Sequence, residues 1–124
     1  MRARILAISA GIGLALAATE AMAHPKLTSS APAANGIERA APATKEIRLN
    51  FSEGVIAKFS GLELRDESGK SIATGTPAAD LKDKKQLVVP LDAPLPAGKY
   101  RVMWHAVSED THRVKGEYTF TIGN

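Results

Sequence analysis

Cysteine is absent from the 124 residues, only 5% are aromatic, and after residue 23 no apolar run is long enough to cross a bilayer. Without cysteine there is no disulfide, no iron–sulfur cluster, no blue-copper centre and none of the thiolate-rich structural zinc sites. A small exported domain of this composition must hold together through its apolar core. The scarcity of aromatics also removes nucleic acid as a partner. Lys82, Lys84 and Lys85 form the one basic cluster, Asp83 interrupts it, and no aromatic platform stands beside it. No helical period, internal repeat or domain linker follows residue 23.

What is present begins with a leader. Arg2 and Arg4 precede an apolar stretch at 5–18, and Ala21, Met22 and Ala23 place small residues where a signal peptidase reads. The stretch is shorter than the roughly 20 residues needed to span a bilayer. Residues 1–23 therefore read as a cleaved signal peptide and 24–124 as one soluble, exported domain. Cleavage removes Arg2, Arg4 and Glu20, so the formal charge falls from +3 to +2.

Strand periodicity dominates the rest. Residues 27–30 suggest a short edge strand, and 32–42 read as loop between Pro32 and Pro42. From Glu46 the chain alternates strictly, with Ile47, Leu49 and Phe51 on one face. Val55, Ile56 and Phe59 continue the apolar positions through a bend at Gly54. Leu62 and Leu64 lead to a hairpin turn at 66–69, with a weak return over 72–76. A β-branched run at 86–91 ends at or near Pro90. Tyr100 then heads a long strand after a Pro-Ala-Gly turn, an arrangement that resembles the tyrosine corner of immunoglobulin-like sandwiches. Tyr100, Val102, Trp104 and Ala106 share its inner face and Arg101, Met103, His105 and Val107 the outer one, with His105 a partly exposed strand residue. A last strand over 114–122 turns Tyr118, Phe120 and Ile122 inward. The expected fold is all-β: an antiparallel immunoglobulin-like, Greek-key sandwich or flattened barrel of about seven strands.

Two poles of this chain carry chemistry. Cleavage after Ala23 would make His24 a free N-terminus, with an α-amine and an imidazole Nδ1 that can close one chelate ring. Pro25 has no N–H, which blocks the competing mode in which successive backbone amides wrap the ion. The second pole is Asp110-Thr111-His112. In extended chain its carboxylate and imidazole project to one side and Glu109 to the other. Amine, two imidazoles and one carboxylate form the tetragonal N,O set that Cu(II) prefers. A D-x-H sequence alone also describes a solvated turn, so the residues by themselves leave both readings open.

The wider pattern narrows them. His24, Pro25, Lys26 and Leu27, then Ser29, Ser30 and Pro32, then 50–54 (Asn-Phe-Ser-Glu-Gly) and 59–61 (Phe-Ser-Gly) occur in order. They are followed by 100–104, by 108–112 (Ser-Glu-Asp-Thr-His) and by Gly116. Together, over nearly all of 24–124, they resemble the CopC family of periplasmic copper-binding proteins. The resemblance implies an immunoglobulin-like sandwich, a periplasmic location, and a role in copper resistance or homeostasis. It also implies one Cu(II) held by the amine and imidazole of His24 with Asp110 and His112. Glu53 matches a position beside the amine, although a plain surface carboxylate at a strand end would look the same. Better-known members carry a Met-rich loop with a histidine that binds Cu(I). Residues 65–85 here contain neither Met nor His, and Met103 is the only methionine after residue 23. No Cu(I) site is therefore expected.

The expected protein is a monomeric carrier or sequestering protein and not an enzyme. Its partners would be the copper ion and an inner-membrane transporter of the CopD type or another periplasmic copper protein. Two rivals stand beside it. A histidine-brace oxidase or monooxygenase would need coordination positions open to oxygen, and Asp110 fills one. A metal-free interaction module of a copper-import system would bind no ion through His112.

Overall fold

A computed structural model describes residues 24–124; the leader expected at 1–23 lies outside them. Nine strands form two sheets: β1 (Leu27–Ala31), β2 (Ile37–Arg39), β3 (Glu46–Phe51), β4 (Gly61–Asp66), β5 (Ser71–Ile72), β6 (Ala78–Ala79), β7 (Gln86–Pro90), β8 (Gly98–Val107) and β9 (Arg113–Gly123). The first sheet has the order β1-β3-β7-β6 and the second β2-β9-β8-β4-β5. Both are open, so the molecule is a sandwich and the flattened-barrel alternative does not apply.

The alternation read from the sequence builds the core. Ile47, Leu49 and Phe51 of β3 and Leu87 and Val89 of β7 face Leu64 of β4 across the sandwich. Tyr100, Val102 and Ala106 of β8 and Tyr118, Phe120 and Ile122 of β9 complete the opposite wall. Burying each large aliphatic or aromatic side chain contributes about 1.5–3 kcal/mol, and this core stands in for the missing disulfides. The tyrosine corner forms as expected, with the Tyr100 hydroxyl donating to the Pro96 carbonyl at 2.6 Å. Burial, and secondarily the Asp66 carboxylate, push its phenol pKa upward.

Three expectations change. Residues 32–42 are not all loop: β2 pairs in parallel with β9, from Ile37 opposite Thr121 to Arg39 opposite Gly123. A three-residue strand on a polar stretch is too short for periodicity to signal it. Phe59 does not continue the buried positions. It closes a 3-10 turn (Ala57–Phe59) and is 52% exposed, with the Lys58 ammonium 5.9 Å from its ring centroid. The return strand expected over 72–76 is only β5, after which Thr74 makes an isolated bridge to Leu91.

The β4–β5 turn is tied by one side chain. Asp66 Oδ1 accepts from the Ser68 amide (2.9 Å), the Ser68 hydroxyl (2.6 Å) and the Lys70 amide (2.9 Å). The Ser68 hydroxyl first, then the Lys70 amide, hold the Asp66 pKa below its ordinary value. A depressed carboxylate stabilises the fold above its unfolded pKa and loses that contribution as pH falls through the folded one. The Ser68 and Lys70 amides should therefore stay protected until the pH drops below the usual aspartate range and then exchange freely. Asp66→Asn should remove the transition from an amide-exchange profile.

Candidate metal centre

The β8–β9 turn and the start of the chain meet at one end of the sandwich. Lys26 donates its amide to Ser52 Oγ at 2.9 Å, and Ser52 donates its amide to the Lys26 carbonyl at 2.8 Å. This pair clips the segment before β1 to the end of β3, and Pro25 is buried beneath it. His24 is left exposed beyond the clip. Its ring lies edge-on to that of His112, with centroids 4.8 Å apart and planes at 84°.

The second pole is a tight turn and not the extended chain expected from the i, i+2 spacing. The Ser108 amide donates to the His112 carbonyl and the Thr111 amide to the Ser108 carbonyl, both at 2.9 Å. Thr111 takes φ 69°, in the left-handed region. Asp110 and His112 still face one another because the turn folds them together, with His112 Nδ1 3.1 Å from Asp110 Oδ2. Glu109 points away as expected, toward Lys84 Nζ at 3.9 Å. An isolated bridge from Ser108 to Val55 anchors the turn to the sandwich.

Ser108 organises this pole, and sequence reasoning passed over it as one letter of a motif. It is 1% exposed. Its hydroxyl donates to Asp110 Oδ1 and accepts from the His112 amide at 3.2 Å. A serine two residues before an aspartate favours such local side-chain bonds, and that was the available signal. The Ser108 hydroxyl, and then His112, hold the Asp110 pKa below the usual value. Asp110 is therefore anionic at neutral and mildly acidic pH.

One atom of the pole is unsatisfied. His112 Nδ1 is shielded from solvent yet has no aligned hydrogen-bond partner, its approach to Asp110 being close but off line. An unpartnered ring nitrogen beside a carboxylate is an arrangement that a cation could engage. Among the described residues, however, no three His, Asp or Glu side chains already enclose a metal position. Glu53 follows Ser52 at the end of β3, half-buried, and its neighbour Gly54 accepts the Glu109 amide at 3.3 Å. His105 is an exposed residue of the outer sheet face, and Trp104 packs inward against Phe51, with centroids 5.5 Å apart.

Fold and pole together define an immunoglobulin-like sandwich with histidine and carboxylate side chains gathered at one end. The chain belongs to the CopC family, whose CopC domain matches residues 27–123. Copper resistance protein C of Escherichia coli is 45% identical to it over 111 residues, covering 85% of this chain and 86% of that one. The crystal structure of PcoC, a methionine rich copper resistance protein from Escherichia coli, is similar with a TM-score of 0.70 and 43% identity. That match covers 81% of this chain and 99% of PcoC. Copper transport protein CutJ of Bacillus subtilis is 31% identical over 101 residues, which cover 82% of this chain but 18% of that longer protein.

Proposed function

We propose that this protein is a periplasmic Cu(II)-binding protein of copper resistance or homeostasis. After cleavage behind Ala23 it would hold one ion through the amine and imidazole of His24, with Asp110 and His112. The observation that carries this reading is the meeting of the two poles. His24 and His112 are 88 residues apart in sequence, their rings are 4.8 Å apart at centroid, and the Asp110 carboxylate lies against His112. Membership in a family whose named relatives are copper resistance proteins supports copper as the ion, and the N,O donor set supports its divalent state. The ion is cargo here: four protein donors leave no equatorial position for a substrate, so carriage or sequestration is favoured over catalysis.

The amine and the imidazoles must lose protons to bind. Asp110, already anionic, adds no pH dependence at neutral and mildly acidic pH. Cu(II) affinity should therefore fall steeply as pH drops from neutral to about 5. His112→Ala should weaken binding severely, and Asp110→Asn should weaken it while preserving the domain's thermal transition. A flat affinity across this range would argue against this donor set, and wild-type binding by His112→Ala would favour the metal-free interaction module.

A further inference from the structure

Away from the pole, the outer face of the five-stranded sheet carries two further donors. Met103 and His105 stand two residues apart on β8, on the face opposite Trp104. Register places Glu63 of β4 and Glu117 of β9 on either side of Met103, and Gly61 and Lys115 on either side of His105. Between these rows runs a third, Leu62–Trp104–Gly116, in which Leu62 and Trp104 turn inward onto the core. The outer surface is therefore lowered along that row. It forms an open depression of about 640 Å³ with Met103 on one wall and His105 on the other.

Gly61 shapes the histidine wall. A Cβ there would stand 3.4 Å from His105 Cε1, 3.8 Å from its Nε2 and 3.3 Å from Pro77 Cγ. The bare backbone thus lets the imidazole lie across β4 beside Pro77. Charges around the depression are mostly matched: Arg65 pairs with Glu63 at 2.8 Å and Arg101 with Glu117 at 3.9 Å, while Lys115 faces His105. Residues two apart on a strand are separated by about 6.6–6.8 Å. The imidazole must turn from its place over β4 for a ring nitrogen and the thioether to close that gap over the depression.

We propose that Met103 and His105 form a second, weaker site for a soft monovalent ion, Cu(I) or Ag(I). A thioether is the donor that selects Cu(I), and imidazole suits it as a companion. Monovalent d10 ions accept two donors in line, so this site needs no methionine cluster. The expectation of no Cu(I) site rested on the missing Met-rich loop, and this pair lies outside that loop. The site uses none of His24, Asp110 and His112 and does not depend on the Cu(II) reading.

Silver titration followed by NMR, on the protein beginning at His24, tests the proposal. Met103 supplies the one methionine methyl signal in that chain. Ag(I) should move this methyl and the His105 Cε1–H resonance together, saturating in the micromolar range. Met103→Leu should abolish the His105 response, and His105→Ala should push saturation of the methyl at least about tenfold higher. His112→Ala should leave both responses in place, while Met103→Leu should leave Cu(II) binding unchanged. The proposal is overturned if Ag(I) shifts only His24 and His112, if the methyl titrates identically in His105→Ala, or if its response vanishes in His112→Ala.

Discussion

A single residue placed ahead of His24 should cost the protein most of its Cu(II) affinity. The extension turns the α-amine into an amide, which has no basic lone pair, and so removes one donor and the chelate ring it closes with the imidazole. Pro25 prevents recovery through the next peptide nitrogen, because that nitrogen carries no hydrogen. Asp110 and His112 remain in place, since the bonds that hold them come from Ser108 and not from the N-terminus. Affinity should fall by roughly a hundredfold or more, about 2.8 kcal/mol. The Cu(II) EPR spectrum should change with it, because a nitrogen leaves the equatorial plane. Comparison of the protein beginning at His24 with one beginning Gly-His24 gives the result directly. Identical spectra and affinities would remove the amine from the site and with it the proposed mode of binding.

Gly116→Ala should produce a comparably large loss, in stability. A Cβ at Gly116 would lie 2.5 Å from Trp104 Cζ2, 2.8 Å from Cε2 and 3.1 Å from Nε1. These are not ends of a flexible chain but one face of a rigid ring. Relief requires the indole to swing out of its edge contact with Phe51 or the β8–β9 ladder to spread. Overpacking of this kind costs about 1–3 kcal/mol, and the rigidity of the ring places this case at the upper end. For a domain near 100 residues that corresponds to a fall in Tm of roughly 10–20 °C. Trp104→Leu in the same background should recover part of the loss, since it withdraws the atoms the new methyl meets. A Tm within about 2 °C of wild type in Gly116→Ala would show that the ring moves freely.

Much of the sandwich was legible because its strands are half-buried. Alternation in β3 and β9 identified inward residues correctly down to Tyr118, Phe120 and Ile122, and in β8 it found Tyr100, Val102 and Ala106 but turned Val107 outward, whereas the structure buries it. The tyrosine corner was readable because Pro96, Ala97 and Gly98 set Tyr100 near the head of a long strand, within reach of the chain just upstream. What escaped the sequence was short or determined by tertiary context. β2 has three residues and owes its existence to the edge of β9 that it pairs with. Phe59 reads as core in any hydropathy pattern, but the 3-10 turn that joins the two sheets carries it outward. At the candidate site His24, Asp110 and His112 could be named as candidate donors, and the structure places the rings of His24 and His112 side by side. The manner in which Asp110 meets His112 could not be read. It depends on a left-handed Thr111 and a buried Ser108, and neither leaves a periodic trace.

The direction of β9 has a practical consequence for handling this molecule. The strand starts at Arg113, directly after His112, and ends at Gly123 near the tyrosine corner, where Ile122 pairs with Gly98. Over its 11 residues the chain travels about 33–37 Å. A purification tag, fluorophore or surface linker attached after Asn124 would therefore sit a full strand length from His24. Attachment at the other terminus would alter a candidate donor atom itself. Immobilisation through the carboxyl end leaves the end of the sandwich that carries His24 and His112 facing solution.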